Sequence, residues 1–294
     1  MKKTNYLILG VNGMAGHVIA QYLIENGHTV SGFAREKSPV CKTFTGDVRN
    51  RQDVEDLLKE ARHYDVVINC IGILNRLVDA KPSEGIYLNS VLPHLLAENL
   101  NHTGIKLIHI SSDCVYEGTR GNYTESDVPD AVSYYGRTKA LGEVKDGQNL
   151  TIRTSIVGPE LKPAGIGLFH WFMNQEGVVE GYKNVIWSGV TTLQLAKAIE
   201  ADIAKQETGL YHLVNNQTIN KHDLLNLFNR VCRSRPVEIR ENRSVVSDRS
   251  VLNTQKDPAF PVPGYEQMVC EMADWMKKHR RLYQQYEEAM RWTS

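Results

Sequence analysis

The chain carries no net charge, because 34 basic residues balance 34 acidic ones. A surface that tracks nucleic acid needs a basic excess, so nucleic-acid binding is set aside as the main activity. Cysteine is scarce. Cys41, Cys70, Cys114, Cys232 and Cys270 show no Cys-x-x-Cys spacing. An odd, dispersed set argues against a disulfide framework and against a zinc site, and no metal centre is expected. It suits reduced thiols in a cytoplasmic protein. No apolar run is long enough to span a membrane. Met1-Lys2-Lys3 is basic, but the apolar run after it is too short for a signal-peptide core. Internal repeats and low-complexity tracts are also missing. The 294 residues suffice for one large domain, or a large domain with an annex.

What is there begins near the N-terminus. Tyr6-Leu7-Ile8-Leu9 is a short apolar run that suits a buried parallel strand. Gly10-Val11-Asn12-Gly13-Met14-Ala15-Gly16 follows, and a helical pattern then runs from His17 to Ile24, ended by Gly27 as a C-terminal cap. Glycines at spacings of three let the backbone turn sharply and approach a pyrophosphate at a helix N-terminus. Its position between a strand and a helix separates this triplet from an ordinary turn.

Strands and helices then alternate. Strands are predicted at 29–33, 42–45, 65–70, 105–110 and 150–153. Helices are predicted at 53–61, at 84–101 with Pro93 as a distortion, and around Tyr135. This alternation predicts an α/β fold, a doubly wound parallel sheet of the Rossmann type, with ligands at the carboxyl ends of its strands. Residues 1–158 read as the dinucleotide-binding domain. Residues 159–294 read as a smaller C-terminal substrate-binding lobe, with a segment at about 185–214 returning to the Rossmann core. A helix at 191–205, a strand at 209–214, a helix at 221–232 capped by Asn220, and mostly helix at 264–286 complete the pattern.

Tyr135 and Lys139 lie four residues apart in Ser-Tyr-Tyr-Gly-Arg-Thr-Lys, so a helix stacks them on one face. A tyrosine titrates near 10. An ammonium about 4 Å away would stabilise its phenolate by roughly 4 kcal/mol at an effective dielectric of about 20. Such a tyrosine exchanges a proton with a substrate hydroxyl or carbonyl. Ser112, at the end of the fifth strand, can hold the same substrate oxygen. Tyr134 competes as the base, but four residues after it stands Thr138. At the end of the second strand, where NAD-preferring folds place an acid, the chain has Arg35-Glu36-Lys37. Arg35 can pair with a 2′-phosphate. The expected cofactor is NADP(H), with NAD(H) as the alternative.

Gly10, Gly13 and Gly16, then Ser112, Tyr135 and Lys139, give the chain a resemblance to the extended short-chain dehydrogenase/reductase family. Ser-Ser-Asp-Cys-Val-Tyr-Glu-Gly, Tyr-Gly-Arg-Thr-Lys-Ala-Leu-Gly-Glu, Ile-Arg-Thr-Ser-Ile-Val-Gly and Ser188–Ala196 resemble its dTDP-4-dehydrorhamnose reductase branch. The resemblance implies NADPH-dependent reduction of a nucleotide-linked 4-keto-6-deoxy sugar. In that role Tyr135 is the proton donor. Lys139 lowers its pKa and holds the nicotinamide ribose, and Ser112 orients the carbonyl. It also implies that Asp47 and Val48 flank the adenine, that Cys70, Ile71 and Gly72 line the ribose and phosphates, and that Asn89 supports the site.

Two departures stand out. Ile156 replaces a tryptophan that often follows Arg-Thr-Ser in the branch, and Cys114 replaces the second acid of dehydratases. A sugar-nucleotide 4-epimerase and a regulatory subunit that binds NADP without catalysis are the alternatives. Arg153 and Trp187 are the substrate-contact candidates, beside Lys162 and His170. The tail at Lys277–Tyr286 reads as a solvated helix, or else as a surface for a homodimer.

Overall fold

The structure, a computed structural model, describes residues 3–292. Met1 and Lys2 of the basic start lie outside the described residues. A seven-stranded sheet forms the centre. It contains β1 (Asn5–Leu9), β2 (Thr29–Ala34), β3 (Lys42–Thr45), β4 (Val66–Asn69), β5 (Lys106–Ile110) and β6 (Leu150–Arg153). Further along the chain come β7 (Ile156–Val157), β8 (Val178–Tyr182), β9 (Val185–Trp187), β10 (Val190–Thr191) and β11 (Gly209–His212). The last of these, β11, returns to the central sheet. Its strand order is β11-β6-β5-β4-β1-β2-β3, and every neighbouring pair is parallel. Tyr6, Leu7, Ile8 and Leu9 of β1 are fully buried, as a strand covered on both faces requires.

Helices cover both faces. One side carries α1 (Gly16–Glu25) and α8 (Thr192–Lys205). They are tied together by Glu200, which accepts from Tyr22 at 2.9 Å and bonds His28 at 3.0 Å. The other side carries α2 (Arg51–Ala61) and the segment 75–100. That segment is not one helix. It runs as α3 (Asn75–Ala80), α4 (Pro82–Ile86), a π-turn at Tyr87–Val91 and α5 (Leu92–Leu100). Pro93 has no N–H to offer the carbonyl of Asn89, and its ring clashes there. The ladder therefore widens just before it.

The annex is built from α7 (Leu168–Met173), α9 (Lys221–Val231) and short strands. The later strands are β12 (Ile219–Asn220), β13 (Glu238–Asn242) and β14 (Ser247–Asp248). β9 lies between β12 and β14, and β8 pairs with β13. α10 (Tyr265–Lys278) ends earlier than the sequence pattern implies, and short 3₁₀ turns follow. Tyr283 and Tyr286 are fully packed away, so the tail is not a solvated helix. Among the described residues no helix is long and apolar enough to cross a membrane.

Asp202 on α8 is buried and accepts from the Tyr211 hydroxyl at 2.7 Å. Burial pushes its carboxyl up to about 7. Its folded pKa lies above the unfolded one. The stability it contributes is therefore full below about pH 4 and is lost as pH rises through 7. Asp202→Asn removes this dependence. The stability of wild type relative to the variant, from urea titrations, should fall by up to about 4 kcal/mol between pH 4 and pH 7.5. Parallel pH profiles for the two proteins would contradict the assignment.

Candidate functional site

The glycine turn joins β1 to α1. Gly10 has φ +77°, a conformation that L side chains rarely adopt. A Cβ on Gly16 would sit 2.4 Å from the Gly10 carbonyl oxygen, so this turn closes only around glycine. Asn12 donates to the carbonyl of Glu36 at 2.9 Å. That bond fixes the turn to the end of β2, where Arg35 is exposed. Met14 lies against Gly167 of the annex. Below the turn, His17 bonds the Gly13 carbonyl at 2.8 Å and the Tyr283 hydroxyl at 3.1 Å. Burial pushes this histidine down to about 4, so it is neutral and bonds through both ring nitrogens. The tail thus braces the turn, a role its sequence does not announce.

Cys70, Ile71 and Gly72 leave β4 directly beside this turn. A Cβ on Gly10 would meet Ile71 and the Cys70 carbonyl at 3.2–3.3 Å. Burial pushes the Cys70 thiol up to about 12, so it stays a neutral wall. Asp47 sits at the neighbouring strand end, where Arg49 clamps its carboxylate at 2.5–3.0 Å and holds it down to about 2. The Val48 side chain is buried and its carbonyl accepts from Tyr87. The side chains of both residues are already engaged, Asp47 by Arg49 and Val48 in the core.

Asn89 lies on the π-turn, buried, with its amide fully used. Its oxygen accepts from the Ile73 N–H at 3.0 Å. Its nitrogen donates to the Ile73 carbonyl at 3.1 Å and to the Thr138 hydroxyl at 3.1 Å. It is a positioning residue that ties the 70–73 loop to α6 (Tyr134–Leu141), and it does not offer a free group to a cofactor.

At the end of β5, Ser112 opens a 3₁₀ turn at Asp113–Val115. Its hydroxyl oxygen accepts from the Cys114 N–H at 3.1 Å and donates to Asp113 at 3.1 Å. Ser133 caps α6 by accepting from the Gly136 N–H, and this places Tyr135 and Lys139 on the buried face. The Tyr135 phenol lies close enough to the Ser112 hydroxyl for the two to interact. Ser112 and Tyr135 therefore meet at the carboxyl end of the sheet, with Lys139 one helical turn beyond Tyr135 on the same buried face.

The electrostatics differ from expectation. Burial raises Tyr135 well above its usual value, and Cys114 and Asp113 add to the rise. The expected lowering by Lys139 is not seen: burial outweighs it, and the ammonium donates to the Ile110 carbonyl at 2.8 Å. Burial also pulls Lys139 down to about 8. His109 was not anticipated. It is buried on β5, bonds Asn69 at 3.2 Å, and leaves Nε2 without a partner. Burial and the nearby Lys139 keep it neutral. Its only sequence signal is a histidine at the centre of an apolar strand, Ile-His-Ile.

The substrate candidates fare differently. Arg153 is fully buried and forms a two-pronged pair with Glu143 at 2.5 and 2.7 Å, with Tyr116 at 2.6 Å. With a fourth bond to His212 at 3.2 Å, it is held as a core residue, and its charge is already paired. Trp187 is also buried, packed near Tyr265, but its indole N–H has no partner. His170 is tied to Tyr286 and to the Pro163 carbonyl. Lys162 is exposed, 4.0 Å from Glu36. Ile156 is half-buried on β7.

A family model described as RmlD substrate binding domain matches residues 4–259. The chain belongs to this family. The dTDP-4-dehydrorhamnose reductase of Salmonella typhimurium is 28% identical over 232 residues, covering 74% of this chain and 75% of that protein. A probable low-salt glycan biosynthesis reductase of Haloferax volcanii is 34% identical over 142 residues, 46% of each chain. The chain thus spans about half the length of that relative. A solved dTDP-4-dehydrorhamnose reductase of Bacillus anthracis, in complex with NADP, superposes with a TM-score of 0.74 at 18% identity. The match covers 92% of this chain and 99% of that one, and it shows that the fold is shared.

Removing one partner of a buried ion pair strands the other charge, which costs about 3–5 kcal/mol. Arg153→Met should lower unfolding stability by that amount in a urea titration while leaving dinucleotide affinity within about twofold. A large loss of ligand affinity with unchanged stability would return Arg153 to the binding site.

Proposed function

We propose that this chain is a cytoplasmic, NADPH-dependent reductase of a nucleotide-linked 4-keto-6-deoxy sugar. The observation that carries this reading is the Ser112–Tyr135–Lys139 cluster beside a turn that only glycine can close. A bound NADPH would supply the hydride. The Gly10–Gly16 turn and the start of α1 would hold its pyrophosphate, where free N–H groups favour an anion. Arg35 is exposed beside that turn and suits a 2′-phosphate.

The protein's part in the reaction is proton management. A donor must carry its proton at neutral pH, and the raised Tyr135 does so. The Ser112 hydroxyl turns from Asp113 to the carbonyl oxygen of the substrate, and Tyr135 delivers its proton as charge builds there. Lys139 then offers an adjacent positive charge to the phenolate that forms. The same residues would serve a 4-epimerase, which consumes no reductant. They have no use in a subunit that only binds NADP.

Consumption of NADPH with dTDP-, UDP- and GDP-linked 4-keto-6-deoxy sugars tests the reading. Turnover with at least one of them should fall roughly 100- to 10,000-fold in Tyr135→Phe. No turnover with any of them despite tight NADPH binding would overturn it. Arg35→Ala should weaken NADPH by roughly 10-fold or more and leave NADH unchanged. Equal effects on both dinucleotides would rule out the 2′-phosphate role.

A further inference from the structure

Within electrostatic reach of the catalytic turn lies a cation that the reduction chemistry does not use. Lys221 is the first residue of α9, directly after β12, whose Ile219 pairs with Trp187 of β9. Its ammonium lies 5.0 Å above the Trp187 ring. The groups whose electrostatics reach it are the Asp113 carboxylate and, more weakly, Cys114, on the turn that Ser112 opens. The annex therefore points a lysine at the catalytic turn.

Among the described residues this ammonium has no hydrogen bond and no ion pair. The carboxylate nearest in sequence, Asp223, is already taken by Lys183 at 2.8 Å, Asn220 at 2.7 Å and His222 at 2.8 Å. Asp113 is engaged by the Ser112 hydroxyl. Burial with no hydrogen-bonding or anionic partner beyond the Trp187 ring makes the charged form costly, and it pulls Lys221 down to about 8. A buried charge left unpaired is an expensive arrangement that an incoming anion relieves. Two further groups point the same way. The Trp187 indole N–H is buried without an acceptor. Arg249 uses one nitrogen on the Tyr116 carbonyl at 3.0 Å and bears on Cys114 from another segment. Gly118 leaves the room that the Arg249 side chain fills.

We propose that Lys221 receives an oxyanion of the substrate, with Arg249 as the second cation at the same turn. The oxyanion is a phosphate of a nucleoside diphosphate or a carboxylate on the attached sugar. This deepens the nucleotide-sugar reading above and rests on it for the class of ligand. It assigns Lys221 the role of a specificity residue, since it selects substrates by their negative charge and takes no part in hydride or proton transfer.

The test is isothermal titration of the NADP-saturated full chain with dTDP, UDP, UDP-glucose and UDP-glucuronic acid. Wild type should bind at least one of them. Lys221→Met should weaken that binding about 10-fold or more, and Lys221→Arg should restore it to within a few fold. Lys221→Gln, closer in volume and polarity, should behave as Lys221→Met does. Unchanged NADPH affinity and melting temperature would show that the variants are folded. A loss shared by all four ligands identifies the phosphates. A loss confined to UDP-glucuronic acid identifies a sugar carboxylate. Equal affinity in wild type and Lys221→Met, or no binding of any of the four to wild type, would overturn the proposal. Lys221-dependent binding without turnover of any keto sugar would sink the reductase reading alone.

Discussion

Everything at the site depends on how closely α6 can approach two backbone carbonyls. A Cβ on Gly136 would lie 2.2 Å from the Cys114 carbonyl oxygen, and one on Gly142 would lie 1.9 Å from that of Asn89. With glycine at both places, the helix is pressed against the Ser112 turn on one side and the π-turn on the other. Tyr135 and Lys139 lie between these contacts. Thr138 adds to the clamp, since its hydroxyl is bonded by Asn89 and its carbonyl by Ser90 at 2.7 Å. The Asn89 carbonyl is available for this close contact because Pro93, four residues on, has no N–H to occupy it. One proline and two glycines thus set the distance between serine and tyrosine.

The tightness of that clamp sets the electrostatics. Water is excluded from Tyr135, Lys139 and His109 together, so each is driven towards its neutral form. The tyrosine keeps its proton, the lysine holds its own less firmly, and the histidine stays uncharged. Such a site is poised to donate a proton and to respond to charge that arrives with ligands. Arg153 and Glu143 show the contrasting solution for buried charge. They pair with each other in the core, and each is further tied to its neighbours.

Much of this was legible in the sequence where a residue type has one physical use. The strand–glycine–helix start, the alternation that makes a parallel sheet, and the Ser112–Tyr135–Lys139 order all rest on local rules. The glycine spacing is decided within seven residues, and the tyrosine–lysine pairing by a single helical turn. Less was legible where a side chain's role depends on a distant partner. Arg153 looks like a ligand-binding arginine until Glu143, ten residues upstream, is placed beside it. Lys139 looks devoted to the phenol until the Ile110 carbonyl is seen to accept a hydrogen bond from its ammonium. The tail tyrosines look solvent-facing until Tyr283 meets His17 across 266 residues. The break at Tyr87–Val91 was foreshadowed by Pro93, but not its form, because a proline specifies that the ladder fails and not how the backbone recovers. The annex strands are two to five residues long, too short to impose a period on the sequence.

The central claim is that Tyr135 delivers a proton to a carbonyl while hydride arrives from a nicotinamide. The most direct test is transfer of deuterium from [4-²H]NADPH to a nucleotide-linked 4-keto-6-deoxy sugar, read by mass spectrometry and NMR of the product. The account predicts one deuterium at C4 from one face of the nicotinamide, with transfer suppressed in Tyr135→Phe. Product without deuterium at C4, or transfer of undiminished rate in that variant, would contradict it.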